Sequence, residues 1–136
     1  MADYIGMARS NYFRVKDPQA FKALCERFNL ELITQQDQQH GLLHGWLNEN
    51  GGIPDFEPDA DGGDGEEVDF MGELAEQLEP GWVAVAQEIG YEKMCYLNGY
   101  AVAVNSEGKQ VEVAIQDVFQ AARKAGLGEL MTGAEY

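Results

Sequence analysis

The period of the apolar positions changes several times along the chain, and each change marks an element. Met7–Val15 carries β-branched and aromatic residues around Tyr12 and Phe13, which predicts a strand. At Asp17-Pro18 the pattern turns helical, with Phe21, Leu24, Cys25 and Phe28 on one stripe. Residues 18–29 are therefore predicted as an amphipathic helix, with Asp17 as N-cap and Pro18 in the first turn. Leu30–Thr34 and Gly41–Leu47 read as two strands joined by a polar turn at residues 35–39.

Residues 48–65 are rich in glycine and acids and predict a long loop. In Glu66–Glu79, the apolar residues Val68, Met71, Leu74, Ala75 and Leu78 share one face, predicting a second helix stopped by Pro80-Gly81. Trp82–Ile89, Lys93–Val104 and Gln110–Ile115 form a predicted meander with a hairpin turn at residues 105–109. Asp117 is placed to cap a last helix, Val118–Ala125, ended by Gly126. The order β-α-β-β-α-β-β-β-α predicts an α+β fold: a mainly antiparallel sheet with helices on one face. The whole chain, 1–136, reads as a single domain with an acidic loop and helix inserted at 48–79.

Charge sharpens this picture. The chain of 136 residues has 24 acids, 9 Lys and Arg, and a formal net charge of −15. Residues 1–27 sum to +2 and residues 93–136 to −1, whereas between Asn29 and Glu92 there are 16 acids and no Lys or Arg. An acidic surface disfavours direct contact with nucleic-acid phosphate or an anionic membrane and favours basic partners or cations. With 45% hydrophobic residues the composition is that of a folded protein, not of an acidic disordered chain.

The densest acids are Asp55, Glu57, Asp59, Asp61, Asp64, Glu66, Glu67 and Asp69, continued by Glu73, Glu76 and Glu79. On the predicted second helix, Glu66, Asp69, Glu73 and Glu76 recur at three- and four-residue spacing, which places them on one face about 5 Å apart along the axis. Their charges repel, with no cation interleaved, and the spacing approaches that of phosphates along a nucleic-acid strand. The plain alternative is a solvated acidic face. The same segment suggests calcium: Glu57, Asp59, Asp61 and Gly62 fit positions one, three, five and six of an EF-hand loop. Val68 stands where the bidentate glutamate belongs, so only a weak cation loop is compatible.

Other chemistry finds little material. His40 and His44 are four apart in a predicted strand, about 13 Å in an extended chain, too far for one metal ion. Ser10 and Ser106 lie in no nucleophile motif, and Cys25 sits on an apolar helix face where an inert core thiol is expected. Cys25 and Cys95 in apolar patterns, with no leader-like or membrane-spanning run, predict a reduced, cytoplasmic protein. Trp46, Trp82, Tyr91, Tyr96 and Tyr100 fall mostly in predicted strands, as core or sheet-face residues. The basic residues Arg9, Arg14, Lys16, Lys22 and Arg27 are placed to balance the acidic face or to anchor a dimer.

Ile5-Gly-Met-Ala-Arg-Ser-Asn-Tyr-Phe-Arg-Val-Lys-Asp17, Gly99-Tyr-Ala-Val-Ala-Val104 and Glu135-Tyr136 resemble a family of small acidic proteins of phages, plasmids and conjugative elements. In size and charge the chain is also similar to anti-CRISPR and anti-restriction proteins that mimic DNA. The resemblance implies a non-enzymatic inhibitor without cofactor. Its acidic segment would dock on a basic nucleic-acid-binding protein, such as a nuclease or CRISPR effector. The competing expectation is an acidic interaction module of a mobile element with a weak cation-binding loop.

Overall fold

The computed structural model describes residues 4–58, 64–92 and 96–132. Its elements follow the predicted order, with one addition: β1 (Tyr4–Ser10), α1 (Pro18–Arg27), β2 (Glu31–Asp37), β3 (Gly41–Asn48), β4 (Phe56–Pro58), β5 (Asp64–Glu67), α2 (Phe70–Gln77), β6 (Val83–Glu92), β7 (Tyr96–Asn105), β8 (Gln110–Ala114) and α3 (Asp117–Lys124). Six strands form one sheet in the order β2-β3-β1-β6-β7-β8, with every pairing antiparallel. The fold is α+β. The added strands β4 and β5 form a separate two-stranded ribbon in what the sequence predicts as loop.

One sheet face carries the core. Ala8, Ala84, Ala86, Val102 and Val104 point to it, and α1 and α2 cover it with Phe21, Leu24, Cys25, Phe70, Met71, Leu74 and Ala75. Small residues on the central strands leave room for large ones above them. Trp46 and Phe70 meet edge to face with centroids 5.4 Å apart, and Phe13 and Phe21 do so at 5.6 Å. Burial pushes the Cys25 thiol up to about 12, with a smaller push from Glu26, so it is the inert core thiol expected. Cys95 lies outside the described residues.

Strand β1 ends at Ser10, five residues before the predicted end, because side chains there take over from the ladder. Ser10 Oγ accepts from Trp46 N–H (2.8 Å), and Asn11 Oδ1 accepts from Val85 N–H (2.7 Å). Phe13 and Val15 then make only single bridges, to His44 and Leu78. Gly45 permits this crossing, since a Cβ there would sit 2.7 Å from the Asn11 carbonyl oxygen.

Helix α2 begins at Phe70, four residues later than predicted. Of the predicted apolar stripe Met71, Leu74, Ala75 and Leu78 are buried, whereas Val68 lies before the helix and is only partly buried. The start is set by Asp69, whose carboxylate accepts from Gly72 N–H (3.0 Å), while Glu66 and Glu67 belong to β5. A short Asp side chain reaches the exposed amides of the first turn better than a Glu does. In α3 the expected cap, Asp117, is instead the first helical residue. Its Oδ2 accepts from Ala114 N–H (2.8 Å) on the outer edge of β8.

Burial also lowers the His44 pKa below its usual 6.5. The folded protein thus holds His44 neutral where the unfolded chain begins to protonate. Stability should fall as pH drops through 6.5 toward the lowered folded value, and this part of the loss should stop below it. Urea midpoints at about pH 7.5 and 5.5 test this, and His44→Leu should flatten the difference.

Candidate functional site

The acids that the sequence concentrates between Asp55 and Glu79 divide into three groups, with Glu76 apart from them on α2. Asp69, Glu73 and Glu79 are engaged within the fold. Asp69 caps α2, and Glu73 takes a two-pronged contact from Arg27 (2.8 and 3.2 Å). Glu79 accepts from Arg14 Nε (2.8 Å), whose Nη1 also donates to His40 O (2.8 Å). The expected row Glu66–Asp69–Glu73–Glu76 on one helix face, with no cation among it, is therefore corrected: only Glu73 and Glu76 lie within α2, and an arginine from α1 sits on Glu73. Two of the five N-terminal cations thus balance acids of the middle segment.

The second group forms the ribbon. Glu57 is in β4, and Asp64, Glu66 and Glu67 are in β5. Phe56 pairs with Glu67 and Pro58 with Asp64. Asp55 closes the base of the ribbon, its carbonyl accepting from Val68 N–H (2.9 Å), and its side chain is exposed, as are those of Glu67 and Glu76. The third group, Asp59 and Asp61, lies outside the described residues, and with it most of the suggested calcium loop. Among the described residues no three His, Cys, Asp or Glu side chains gather in a metal-binding group.

His40 and His44 go different ways. His40 packs edge-on against Trp82 (5.1 Å between centroids), and His44 is buried against Phe21 (5.9 Å). The pair does not form a metal site.

Charge arithmetic alone missed the most engaged acid. Glu88 is buried on the core face of β6, and its carboxylate accepts from Ile53 N–H (2.7 Å), Asn98 Nδ2 (2.9 Å) and Tyr100 OH (3.2 Å). Burial first, and then the Glu88 charge, push the Tyr100 phenol well above its usual 10. With Asn48 Nδ2 donating to Gly52 O (2.9 Å), this carboxylate ties the segment leading to the ribbon onto the sheet. Alternation puts 84, 86 and 88 on one face, and the packing of α1 and α2 on Ala84 and Ala86 makes that face the inner one for Glu88.

Glu88→Ala should leave three donors without their acceptor and cost about 1–3 kcal/mol. Hydrogen exchange at Ile53 should rise further than global stability falls, since the tether is lost directly. Equal changes at Ile53 and in the core would argue against a tether.

No helix among the described residues is long and apolar enough to cross a membrane. Compared with protein-family models, curated proteins and solved structures, the chain shows no match to any of them.

Proposed function

We propose that the protein is a non-enzymatic inhibitor of the anti-CRISPR or anti-restriction type. It would occupy a Lys/Arg-rich nucleic-acid groove of a nuclease or effector complex with its acidic ribbon. The observation that carries this reading is the run from Asn29 to Glu92, with 16 acids and no Lys or Arg, whose exposed members Asp55 and Glu67 stand at the base of the ribbon. With acids engaged by Arg14, Arg27 and the α2 cap set aside, the docking face is the ribbon with its base and Glu76, and not one helix side. Like charges held in a hydrogen-bonded ribbon steer a basic partner before contact and keep their spacing on contact.

The test is capture from host lysate at low and high salt, followed by assay of the captured nuclease. A basic nucleic-acid-binding protein should be retained at low salt and inhibited in its activity. Its association rate should fall roughly 100-fold as salt screens the steering field. Capture that is indifferent to salt, or that leaves nuclease activity intact, would sink the reading.

A further inference from the structure

The sheet has a second face that α1 and α2 do not cover. In β6, β7 and β8 it presents Val83, Val85, Gln87, Ile89 and Tyr91, then Leu97, Gly99, Ala101, Ala103 and Asn105, then Val111 and Val113, as the pairing register dictates. None of these positions is charged, in a chain of net charge −15. Ile89 is 62% exposed and Leu97 63%, with Val113, Ile115 and Val118 half-exposed or more and Tyr91 just under half. Between these larger side chains, Gly99 and Ala101 floor an open groove of about 760 Å³, bordered by Val118 and Ala121 of α3.

Helix α3 lines one side of this groove, and nothing among the described residues packs on its other side. It has no buried residue, and an eight-residue helix is marginal in water without a surface to pack on. Beyond it Leu127 is 79% and Leu130 97% exposed. One chain therefore carries both an apolar groove and, beyond α3, two leucines that stand in solvent.

We propose that this face is the contact between two copies of the chain. Related by a two-fold axis, each copy brings α3 and the leucines after it to the other's groove. An isologous contact of this kind needs both halves on one chain, and both are here. Ile89, Tyr91, Leu97, Val113, Ile115 and Val118 together leave roughly 600 Å² open, at the upper end of the ~300–600 Å² of the largest apolar patch on a typical monomer. Leu127 and Leu130 carry the surface past the ~800 Å² per partner of a standard stable interface.

Charge selects the same face. Two chains of −15 repel, and residues 93–136, which supply β7, β8, α3 and the leucines, sum to only −1. The rim holds Glu49, Asp117 and Arg9, and Asp117 is engaged by Ala114 N–H. Ile53, which leads to the ribbon, is held by Glu88 on the opposite face of β6, so the chain enters the ribbon from the side away from this contact.

Sedimentation equilibrium tests the assignment. The 15.0 kDa chain should sediment as a dimer at about 100 µM. Ile89→Lys with Val113→Lys should raise the dissociation constant at least ~100-fold with circular dichroism unchanged, since both side chains leave the core untouched. The two lysines also reduce the net negative charge, so added repulsion between whole chains would not account for the loss. Leu127→Gln with Leu130→Gln, outside every element, should weaken association about tenfold and serves if the first variant misfolds. Higher salt should tighten the dimer, because it screens the repulsion of two acidic chains. This is opposite to its effect on the basic partner, so the two readings fail separately. A monomer at about 100 µM overturns the assignment, whether the chain's own leucines or an unrelated protein covers the face. So does a dimer indifferent to both variant pairs, or one that loosens as salt rises.

Discussion

Trp46→Ala is expected to remove about 3–5 kcal/mol of stability, a large share of the ~5–15 kcal/mol that holds a domain of this kind. Trp46 is fully buried on β3 at the junction of the sheet with α2, edge-on to Phe70. Its backbone N–H is fixed by Ser10 Oγ, so the strand cannot shift inward to fill the void. Trp46→Phe should cost far less than truncation suggests. Among the described residues the indole Nε1–H has no acceptor, and phenylalanine removes that unsatisfied donor while keeping most of the apolar contact. Urea unfolding of the two variants gives the comparison. Equal losses would mean that the indole N–H is satisfied in solution, and a small loss for alanine would mean that the core collapses around the gap.

The second large effect concerns the acidic surface. Reversing Asp55, Glu57, Glu67 and Glu76 to lysine should reduce affinity for the basic partner at least ~100-fold and abolish inhibition, since each contact turns from attraction to repulsion. The fold should survive. Asp55, Glu67 and Glu76 have exposed side chains, and Asp55 holds the ribbon base through its backbone carbonyl. Asp69 and Glu73 make a poorer test despite their place in the acidic run. Asp69→Lys removes the α2 cap, and Glu73→Lys sets a cation against Arg27, so lost activity would mix with lost stability. Full inhibition by the four-fold reversed protein, with circular dichroism unchanged, would rule out docking through the ribbon.

Much of the architecture was legible in the periodicity. Phe21, Leu24 and Cys25 at helical spacing gave α1, and Met71, Leu74, Ala75 and Leu78 gave the buried stripe of α2. The hairpin at residues 105–109 was visible in Asn105 and Gly108, whose φ of 87° suits glycine. The ends of elements were less legible, because periodicity says which face is buried but not which side chain captures the terminal amides. Glu66 opens the periodic stretch and so marks the predicted start of α2, whereas Asp69 wins as cap. Glycine and acid content hid the ribbon, whose stability rests on pairing β4 with β5 and on Asp55 receiving Val68 N–H.

By itself the sequence determined the element periods, the antiparallel α+β order and the location of the charge, since all three depend on residues near one another in the chain. Tertiary structure alone decided which carboxylates stay open. Arg27 meets Glu73 across 46 positions and Arg14 meets Glu79 across 65, and no local pattern carries such pairings. It also decided which side of the sheet is covered. Strands β6 and β7 offer Ala and Val to both faces, so alternation separates the faces without ranking them. Only the packing of α1 and α2 on the side of Ala84, Ala86 and Val102 leaves Ile89 and Leu97 outside the chain's own core.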